Sequence, residues 1–355
     1  MVSLYFNRRA ISKVTASALV VIIVIGIAAA GYYISTLGPG PTSQRRYKLA
    51  LVLGGDETDA GWNAVGIQAA QYIQVKYGWD VSISRDVAYS DQARVITTYA
   101  QQGYDVVWTH GGQFIGTTEG IARQFPNTYF VMSPTYQQDN LSSNTVALGP
   151  DFQVTGYYLA GVLAGKITKT NAVAVVIGQW YDYLAMEFYG FKAGVQSANP
   201  AAKVYARVAG TWADPSLGFQ IAQTLIQSQH VDIIAQIADA TGRGVITAAQ
   251  QYNVSIIGTV GDQAVLAPMV TMTSVMMNTT AFIDTVVRNI IGGTWNQIGG
   301  KVLNMNLGYL APFHNFDSAI PDSVKNLLSQ TSEAINAGTI TVPRTATTNP
   351  PPDPT

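Results

Sequence analysis

From residue 47 onward, short apolar runs alternate with longer amphipathic stretches. The run at 47–53 predicts a buried strand. The stretch at 62–77 predicts a helix, because Val65, Ala69 and Ile73 recur at four-residue spacing. Regular alternation of strands and helices predicts an α/β fold, in which a parallel sheet carries helices on both faces.

The alternation predicts two similar lobes, each with its own sheet. The predicted strands of the first lobe are 47–53, 81–84, 105–109, 129–133 and 146–148, with helices at 62–77, 91–102 and 115–125. Those of the second are 172–177, 203–208, 231–235 and 255–259, with helices at 152–167, 184–198, 217–228 and 243–252. The last elements, 270–275, 280–291 and 301–307, must be shared between the lobes. We therefore assign 47–149 plus 271–300 to lobe 1 and 150–270 plus 301–340 to lobe 2.

An uncharged apolar run at 14–34 precedes the two lobes and follows a basic region at 1–13. The run is long enough to cross a bilayer as a helix, which takes ~20 residues. Since cationic flanks stay in the cytoplasm, this pattern predicts a membrane anchor or signal segment, with the later residues outside the cell. A linker is predicted at 35–46, and a disordered tail rich in Thr and Pro at 341–355.

Two processing routes remain open for the apolar segment. The small residues at 28–31 are typical of a signal-peptidase site. The segment 9–12 resembles a pilin-like signal, which is cleaved before the hydrophobic stretch and leaves that stretch in place. Both routes export the predicted lobes.

Composition and charge exclude several classes of function. Only 12% of residues are charged and the net charge is −1, which gives no electrostatic basis for binding nucleic acid. The chain has no cysteine and only three histidines, none at the spacing of a zinc motif, so neither a metal site nor a cofactor is predicted. Carboxylates are scattered singly and no Gly-x-Ser-x-Gly elbow occurs, so no enzyme activity is predicted.

The loops that follow predicted strands carry glycine, tryptophan and acidic residues. In open α/β sheets ligands bind outside the carboxyl ends of the strands, so these loops are the candidate site. The candidate ligand-binding residues are Asp59, Trp62, Asn63, Gly111, Gly112, Trp212, Asp239 and Asp262. Aromatic walls with a few polar groups suit a neutral ring-bearing solute such as a nucleoside or a sugar.

Several of these residues also have a purely structural interpretation. Asp59 is a good N-cap for the helix at 62–77, and Trp62 and Trp212 could belong to the core. Asp214 before a proline is typical of a helix start, and His110 is typical of a buried structural histidine.

Five segments in order resemble motifs of the basic membrane protein family. They are the Asp-x-x-Trp-Asn segment at 59–63, Gly-Phe-Lys-Ala-Gly at 190–194, the segments at 210–218 and 240–245, and Ile-Gly-x-x-x-Asp-Gln at 257–263. Members of this family are solute-binding subunits of ABC transporters with a type I periplasmic-binding-protein fold, and several bind purine nucleosides. The resemblance implies the same two-lobed fold here.

The resemblance also implies roles for individual residues. In nucleoside-binding members two aromatic side chains sandwich the base and an aspartate binds the ribose hydroxyls; the matching residues are Trp62, Trp212 and Asp262. Other polar positions of the family are not matched: they are occupied by Leu53, Pro134 and Met276 or Met277.

The preferred hypothesis is an extracellular, membrane-anchored receptor of an ABC importer that closes around a nucleoside-like solute and is recognised by separate permease and ATPase chains. The alternatives are a ligand-sensing receptor of the same fold without transport, a sugar-binding protein and a nucleoside-processing enzyme.

Overall fold

The computed structural model describes residues 46–134 and 140–354. The predicted basic region 1–13, the hydrophobic segment 14–34 and all but the last residue of the linker lie outside the described residues. Within the described ranges, no helix has both the length and the apolar character needed to cross a bilayer.

The described chain alternates strands and helices as the hydrophobic pattern predicts. The strands are β1 Lys48–Leu53, β2 Asp80–Ser84, β3 Val106–His110, β4 Tyr129–Ser133, β5 Thr145–Leu148, β6 Ala172–Ile177, β7 Lys203–Val208, β8 Ile233–Ile237, β9 Ser255–Val260, β10 Thr271–Met277, β11 Lys301–Leu303 and β12 Gly308–Leu310. The helices are α1 Trp62–Tyr77, α2 Gln92–Gln101, α3 Ile115–Ala122, α4 Val154–Ile167, α5 Asp182–Ala198, α6 Pro215–Gln229, α7 Asp239–Tyr252, α8 Thr279–Ile291 and α9 Asp322–Asn336. Short 3-10 turns follow several strands.

The strands form two six-stranded sheets, one in each lobe. The first has the order β11-β5-β4-β3-β1-β2 and all its pairs are parallel. The second has the order β12-β10-β9-β8-β6-β7 and is parallel except for the edge strand β12. The predicted α/β class with two parallel-sheet lobes is confirmed.

The chain passes between the two sheets three times, and the three connections are hydrogen-bonded to one another. They follow β5, β10 and β11. The Gly149 amide donates to the Leu303 carbonyl at 2.8 Å, the Asn278 amide to the Leu307 carbonyl at 3.0 Å, and the Leu307 amide to the Phe152 carbonyl at 2.8 Å. Three adjacent crossovers form a narrow link about which two lobes can rotate.

Two strands near the C-terminus belong to the opposite lobe from the one predicted. Strand β10 pairs with β9 and β12 in the second sheet, although 271–300 was assigned to lobe 1. Strand β11 pairs with β5 in the first sheet, although 301–340 was assigned to lobe 2. Strand pairing is non-local, so a regular alternation of elements does not reveal at which crossover the chain changes lobe.

The C-terminal segment 341–354 packs against lobe 2 and is not a disordered tail. Val342 is buried among apolar side chains of α4 and α9. The Trp180 indole donates to the Thr347 carbonyl at 2.7 Å, and the guanidinium of Arg207 pairs with both carboxylate oxygens of Asp353. The Thr- and Pro-rich segment has too few apolar residues to form a core of its own, and these contacts to lobe 2 hold it in place.

Candidate functional site

A cleft of about 690 Å³ lies between the two lobes, at the carboxyl ends of strands from both sheets. This volume is within the range of small-molecule sites. Lobe 1 contributes Gly54, Trp62, Asn63, Val87, Ala88, Tyr89, Gln92, Gly111, Gly112, Gln113, Ile115, Gly116 and Pro134. Phe152 and Gln153 come from the first crossover, and lobe 2 contributes Gln179, Tyr181, Tyr183, Leu184, Glu187, Trp212, Ile237, Asp239, Thr259 and Val260.

Asp59 organises the start of α1 and does not line the cleft. Its buried carboxylate accepts hydrogen bonds from the backbone amides of Gly61, Asn63 and Ala64, at 2.9, 2.7 and 3.2 Å. It also accepts one from the Asn63 side-chain amide at 2.8 Å. Asp59 therefore has a structural role, although the N-cap residue of α1 is Gly61 and not Asp59. Its effect on the cleft is to orient Asn63, which does line it.

Trp62 is held at the cleft by a buried histidine behind it. The indole ring stacks on the His110 imidazole with centroids 4.0 Å apart and an interplanar angle of 3°. The Trp62 carbonyl can only accept, so His110 donates to it from Nε2 at 2.9 Å. Nδ1 of His110 accepts from the Ser133 hydroxyl at 2.8 Å, and that hydroxyl accepts from the Trp108 indole.

His110 is a neutral structural residue. Its burial lowers the pKa of the imidazole to about 3, so the ring carries no charge at neutral pH. The hydrogen bonds on both ring nitrogens fix the tautomer and the ring plane. His110 therefore supports one face of the Trp62 indole, and Trp62 also lines the cleft.

Trp212 lies in the loop between β7 and α6, on the lobe 2 side of the cleft. Its ring rests on the backbone of Gly178, directly after β6: a Cβ at that position would lie 2.2 Å from Trp212 Cε3. The Trp212 carbonyl also accepts from the Thr241 amide at 3.0 Å. Only glycine at 178 allows the indole to approach the strand end this closely.

Replacing Gly178 with alanine is expected to move the Trp212 ring and to weaken solute binding about ten-fold, equivalent to ~1.4 kcal/mol of lost contact. The added methyl group would occupy space now filled by the indole. Tryptophan fluorescence and calorimetric titration of the full-length protein measure both effects. Gly120→Ala is the matched control, because a Cβ there, on the exposed face of α3, meets nothing within 4 Å. Equal affinities for the two variants would contradict this account of Trp212.

Gly111 and Gly112 connect β3 to the 3-10 turn before α3 and line the cleft. A Cβ on Gly112 would lie 3.3 Å from the hydroxyl of Tyr183, which comes from α5 in the other lobe. The lobes therefore lie close together at this point.

Two acidic side chains enter the cleft from lobe 2. Asp239 begins α7 and is partly exposed; burial, and secondarily the charge of Asp59, raise its pKa to about 7. Glu187 lies on α5 and is 1% exposed, and burial raises its pKa well above the usual value. Nearby, the buried hydroxyl of Tyr157 is hydrogen-bonded to Thr259, and its pKa is raised by burial and then by the charge of Glu187.

Asp262 does not line the cleft. One of its carboxylate oxygens accepts from the Ala264 amide at 3.2 Å, and the other lies 2.7 Å from Nε2 of His314. The neighbouring Gln263 is buried and accepts from the Thr259 amide at 3.1 Å. The turn after β9 therefore directs Asp262 away from the cleft, and the ribose-binding role implied for it by resemblance is not supported by its position.

Of the eight predicted site residues, six line one cleft: Trp62, Asn63, Gly111, Gly112, Trp212 and Asp239. Sequence reasoning missed Glu187 and the tyrosines Tyr89, Tyr181 and Tyr183. Glu187 could have been detected in the sequence, because it lies on the buried apolar stripe of α5 formed by Leu184, Phe188 and Phe191. A single acid on an apolar stripe is a sign of function that helix amphipathicity alone does not explain.

Among the described residues that line the cleft there are two acids and neither lysine, arginine nor histidine. No group of three metal-ligating side chains occurs in the part of the chain that the structure describes. Polarity comes from tyrosine, asparagine and four glutamines, Gln92, Gln113, Gln153 and Gln179. The cleft is therefore suited to an uncharged polar molecule with flat apolar faces.

Two parallel-sheet lobes, three adjacent crossovers and a cleft at the strand ends define a solute-binding protein of the periplasmic-binding-protein type. Residues 47–344 match the family model described as "ABC transporter substrate-binding protein PnrA-like". The chain belongs to this family, whose members are substrate-binding proteins. The resemblance to the basic membrane protein family is thereby confirmed.

Similar proteins agree with this assignment. The chain is 26% identical over 307 residues to a purine-binding protein of Brucella abortus, covering 85% of this chain and 84% of that protein. It is 28% identical over 286 residues to the ABC transporter nucleoside-binding protein BmpA of Lactococcus lactis, with coverage of 76% and 80%. A solved ABC-transporter solute-binding protein of Aeropyrum pernix superposes with a TM-score of 0.75 at 16% identity, over 84% of this chain and 94% of that one.

Proposed function

We propose that this chain is the extracytoplasmic receptor of an ABC importer and captures an uncharged nucleoside in the cleft between its lobes. The observation that carries the proposal is the pair of tryptophans, Trp62 from lobe 1 and Trp212 from lobe 2, lining one cleft. Aromatic side chains bind the flat faces of bases by stacking, and two of them can enclose a ring when the lobes close.

The polar groups of the cleft support a nucleoside over a nucleotide. A phosphate would meet two acids and no cation among the described lining residues, which is electrostatically unfavourable. Asp239 is placed to accept hydrogen bonds from sugar hydroxyls, a role that resemblance had implied for Asp262. Stabilisation of the closed form by contacts to both lobes would signal the loaded state to separate permease and ATPase subunits.

The N-terminal pattern supports a location outside the cell. The cationic residues at 1–13 and the apolar run at 14–34 would hold the lobes at the outer face of the membrane. Retention of this segment as an anchor is part of the proposal.

The test is a melting-temperature screen of the full-length protein with nucleosides, free bases, monosaccharides and nucleoside 5′-monophosphates. Ligand at a hundred times its Kd stabilises the folded state by ~2.7 kcal/mol, which such a screen detects readily. We expect at least one purine nucleoside to raise the melting temperature, and its monophosphate to act more weakly. Stabilisation by monosaccharides alone would favour the sugar-binding alternative, and no response to any nucleoside would refute the proposal.

A further inference from the structure

Glu187 is a buried acid that lines the cleft and has one unpaired oxygen. Its side chain is 1% exposed, and Oε2 makes no hydrogen bond within the described part of the chain. A buried polar atom left unpaired is costly, and an ordered water, a ligand or a reaction can supply its partner. Because Glu187 lines the ligand cleft, the missing partner is expected to be the solute.

The described residues of the cleft supply no cation to keep this carboxyl ionised. Lysine, arginine and histidine are absent from the described residues that line the cleft. The ionisable group coupled to Glu187 from another element is Tyr157 on α4. The other ionisable side chains of lobe 2 that line the cleft are Tyr181, Tyr183 and Asp239, and none of them carries a positive charge. Burial raises the pKa of Glu187 well above its usual value, in agreement with this arrangement.

A neutral carboxylic acid presents an O–H donor and a carbonyl acceptor side by side in one plane. The complementary edge of a heterocycle has an acceptor next to a donor, as in the ring nitrogen and amino group of a 6-aminopurine or the lactam of a 6-oxopurine. An ionised carboxylate has only acceptors and would instead select a cation or an edge with two donors.

Glu187 and Trp212 line the same cleft. Trp212 rests on Gly178 at the carboxyl end of β6, and α5 begins shortly after that strand. A ring stacked on Trp212 can therefore present an edge to the first turns of α5. Those turns carry Tyr183, Leu184 and Glu187, all of which line the cleft.

We propose that Glu187 is a specificity-determining residue that, as a neutral acid, pairs with the donor–acceptor edge of the base. This inference rests on the proposed nucleoside function and adds the part of the ligand that is recognised. Replacement by glutamine keeps one donor and one acceptor at this position. Replacement by leucine keeps an apolar side chain of similar size but removes both.

The test compares adenosine, inosine and purine riboside, which lacks any substituent at the six-position, by calorimetric titration at neutral pH. We expect the wild-type protein to bind either adenosine or inosine about ten- to thirty-fold more tightly than purine riboside. Purine riboside keeps the N1 acceptor but lacks the donor, so the carbonyl oxygen of the buried acid is left unpaired. Glu187→Gln should keep this preference. Glu187→Leu should abolish it, so that the Kd values for the nucleosides become about equal. Glu119→Gln is the control, because Glu119 on α3 is largely buried but does not line the cleft.

The outcomes separate the two proposals. Binding of nucleosides with a preference that Glu187→Leu leaves unchanged would refute the role of Glu187 while supporting the proposed function. Loss of all nucleoside binding in a folded Glu187→Gln protein would also refute it, since that result requires an ionised carboxylate. Absence of nucleoside binding to the wild-type protein would refute both. Thermal melts of each variant, followed by circular dichroism, establish that the proteins compared are folded.

Discussion

Replacing Trp212 with alanine is expected to weaken binding of the tightest nucleoside in the panel by about ten- to a hundred-fold. Stacking of a base on an aromatic side chain contributes ~1–3 kcal/mol, and ~1.4 kcal/mol corresponds to a factor of ten in Kd. Trp212 is partly exposed and rests on Gly178, so its removal deletes a cleft wall without opening a deep cavity in the core. Calorimetric titration and thermal melting of the same protein measure affinity and stability separately.

Two further variants make this result specific to stacking. Trp212→Phe keeps an aromatic face and should retain most of the affinity. Trp180→Ala removes another partly buried tryptophan of lobe 2, which contacts the C-terminal segment and does not line the cleft. That variant should lose stability with little change in Kd. A folded Trp212→Ala protein with wild-type affinity would remove the main argument for a nucleoside ligand.

Most strands and helices could be predicted because buried elements have recognisable patterns of apolar residues. Strands such as β6 are buried along their whole length and read as continuous apolar runs between turn residues. Strand β12 was missed because it is a three-residue edge strand with too little pattern to detect. Helix α9 was also missed, although Val324 and Leu328 recur at four-residue spacing on its buried face.

The cleft walls were predictable for a different reason. Strand ends in a parallel sheet meet at one edge, so loops rich in glycine and tryptophan after successive strands converge. Their location gives no information about side-chain direction. Asp59 and Asp262 both follow strands, yet one accepts from backbone amides at the start of α1 and the other pairs with His314 outside the cleft.

Contacts between distant segments account for the remaining differences between the predicted and the observed fold. The exchange of β10 and β11 between lobes depends on pairing partners that no local pattern encodes. The C-terminal segment is ordered by Trp180 and Arg207, residues far away in sequence, so its composition alone predicted the wrong state. Glu187 lies inside α5, whereas the strand-end pattern in the sequence points only to loops.

Replacing Asp239 with asparagine is expected to stabilise the solute-free protein much more at pH 8 than at pH 4. In the unfolded chain the carboxyl has its usual pKa of 3.8, whereas burial in the folded cleft raises the pKa to about 7. Between these values the unfolded state gains free energy from ionisation that the folded state does not, so the stability contributed by this group falls as pH rises. Well below 3.8 the acid is protonated in both states and the contribution of ionisation disappears, and at pH 4 only a small part of it remains.

The expected gain at pH 8 is about 2 kcal/mol, or roughly 4 °C in melting temperature. The difference between a pKa of 3.8 and one of about 7 corresponds to at most ~4 kcal/mol of unfolding free energy. About half of this is expected, because Asp239 is partly exposed to solvent. Glu187 is present in both proteins, so its titration largely cancels in the comparison.

Asp214→Asn is the control: Asp214 is an exposed N-cap of α6, and asparagine caps helices equally well. Thermal melts at pH 4 and pH 8 test the prediction, together with nucleoside titrations in which Asp239→Asn should bind more weakly. A gain of equal size at both pH values would show that the asparagine acts by packing and not by removing a buried charge.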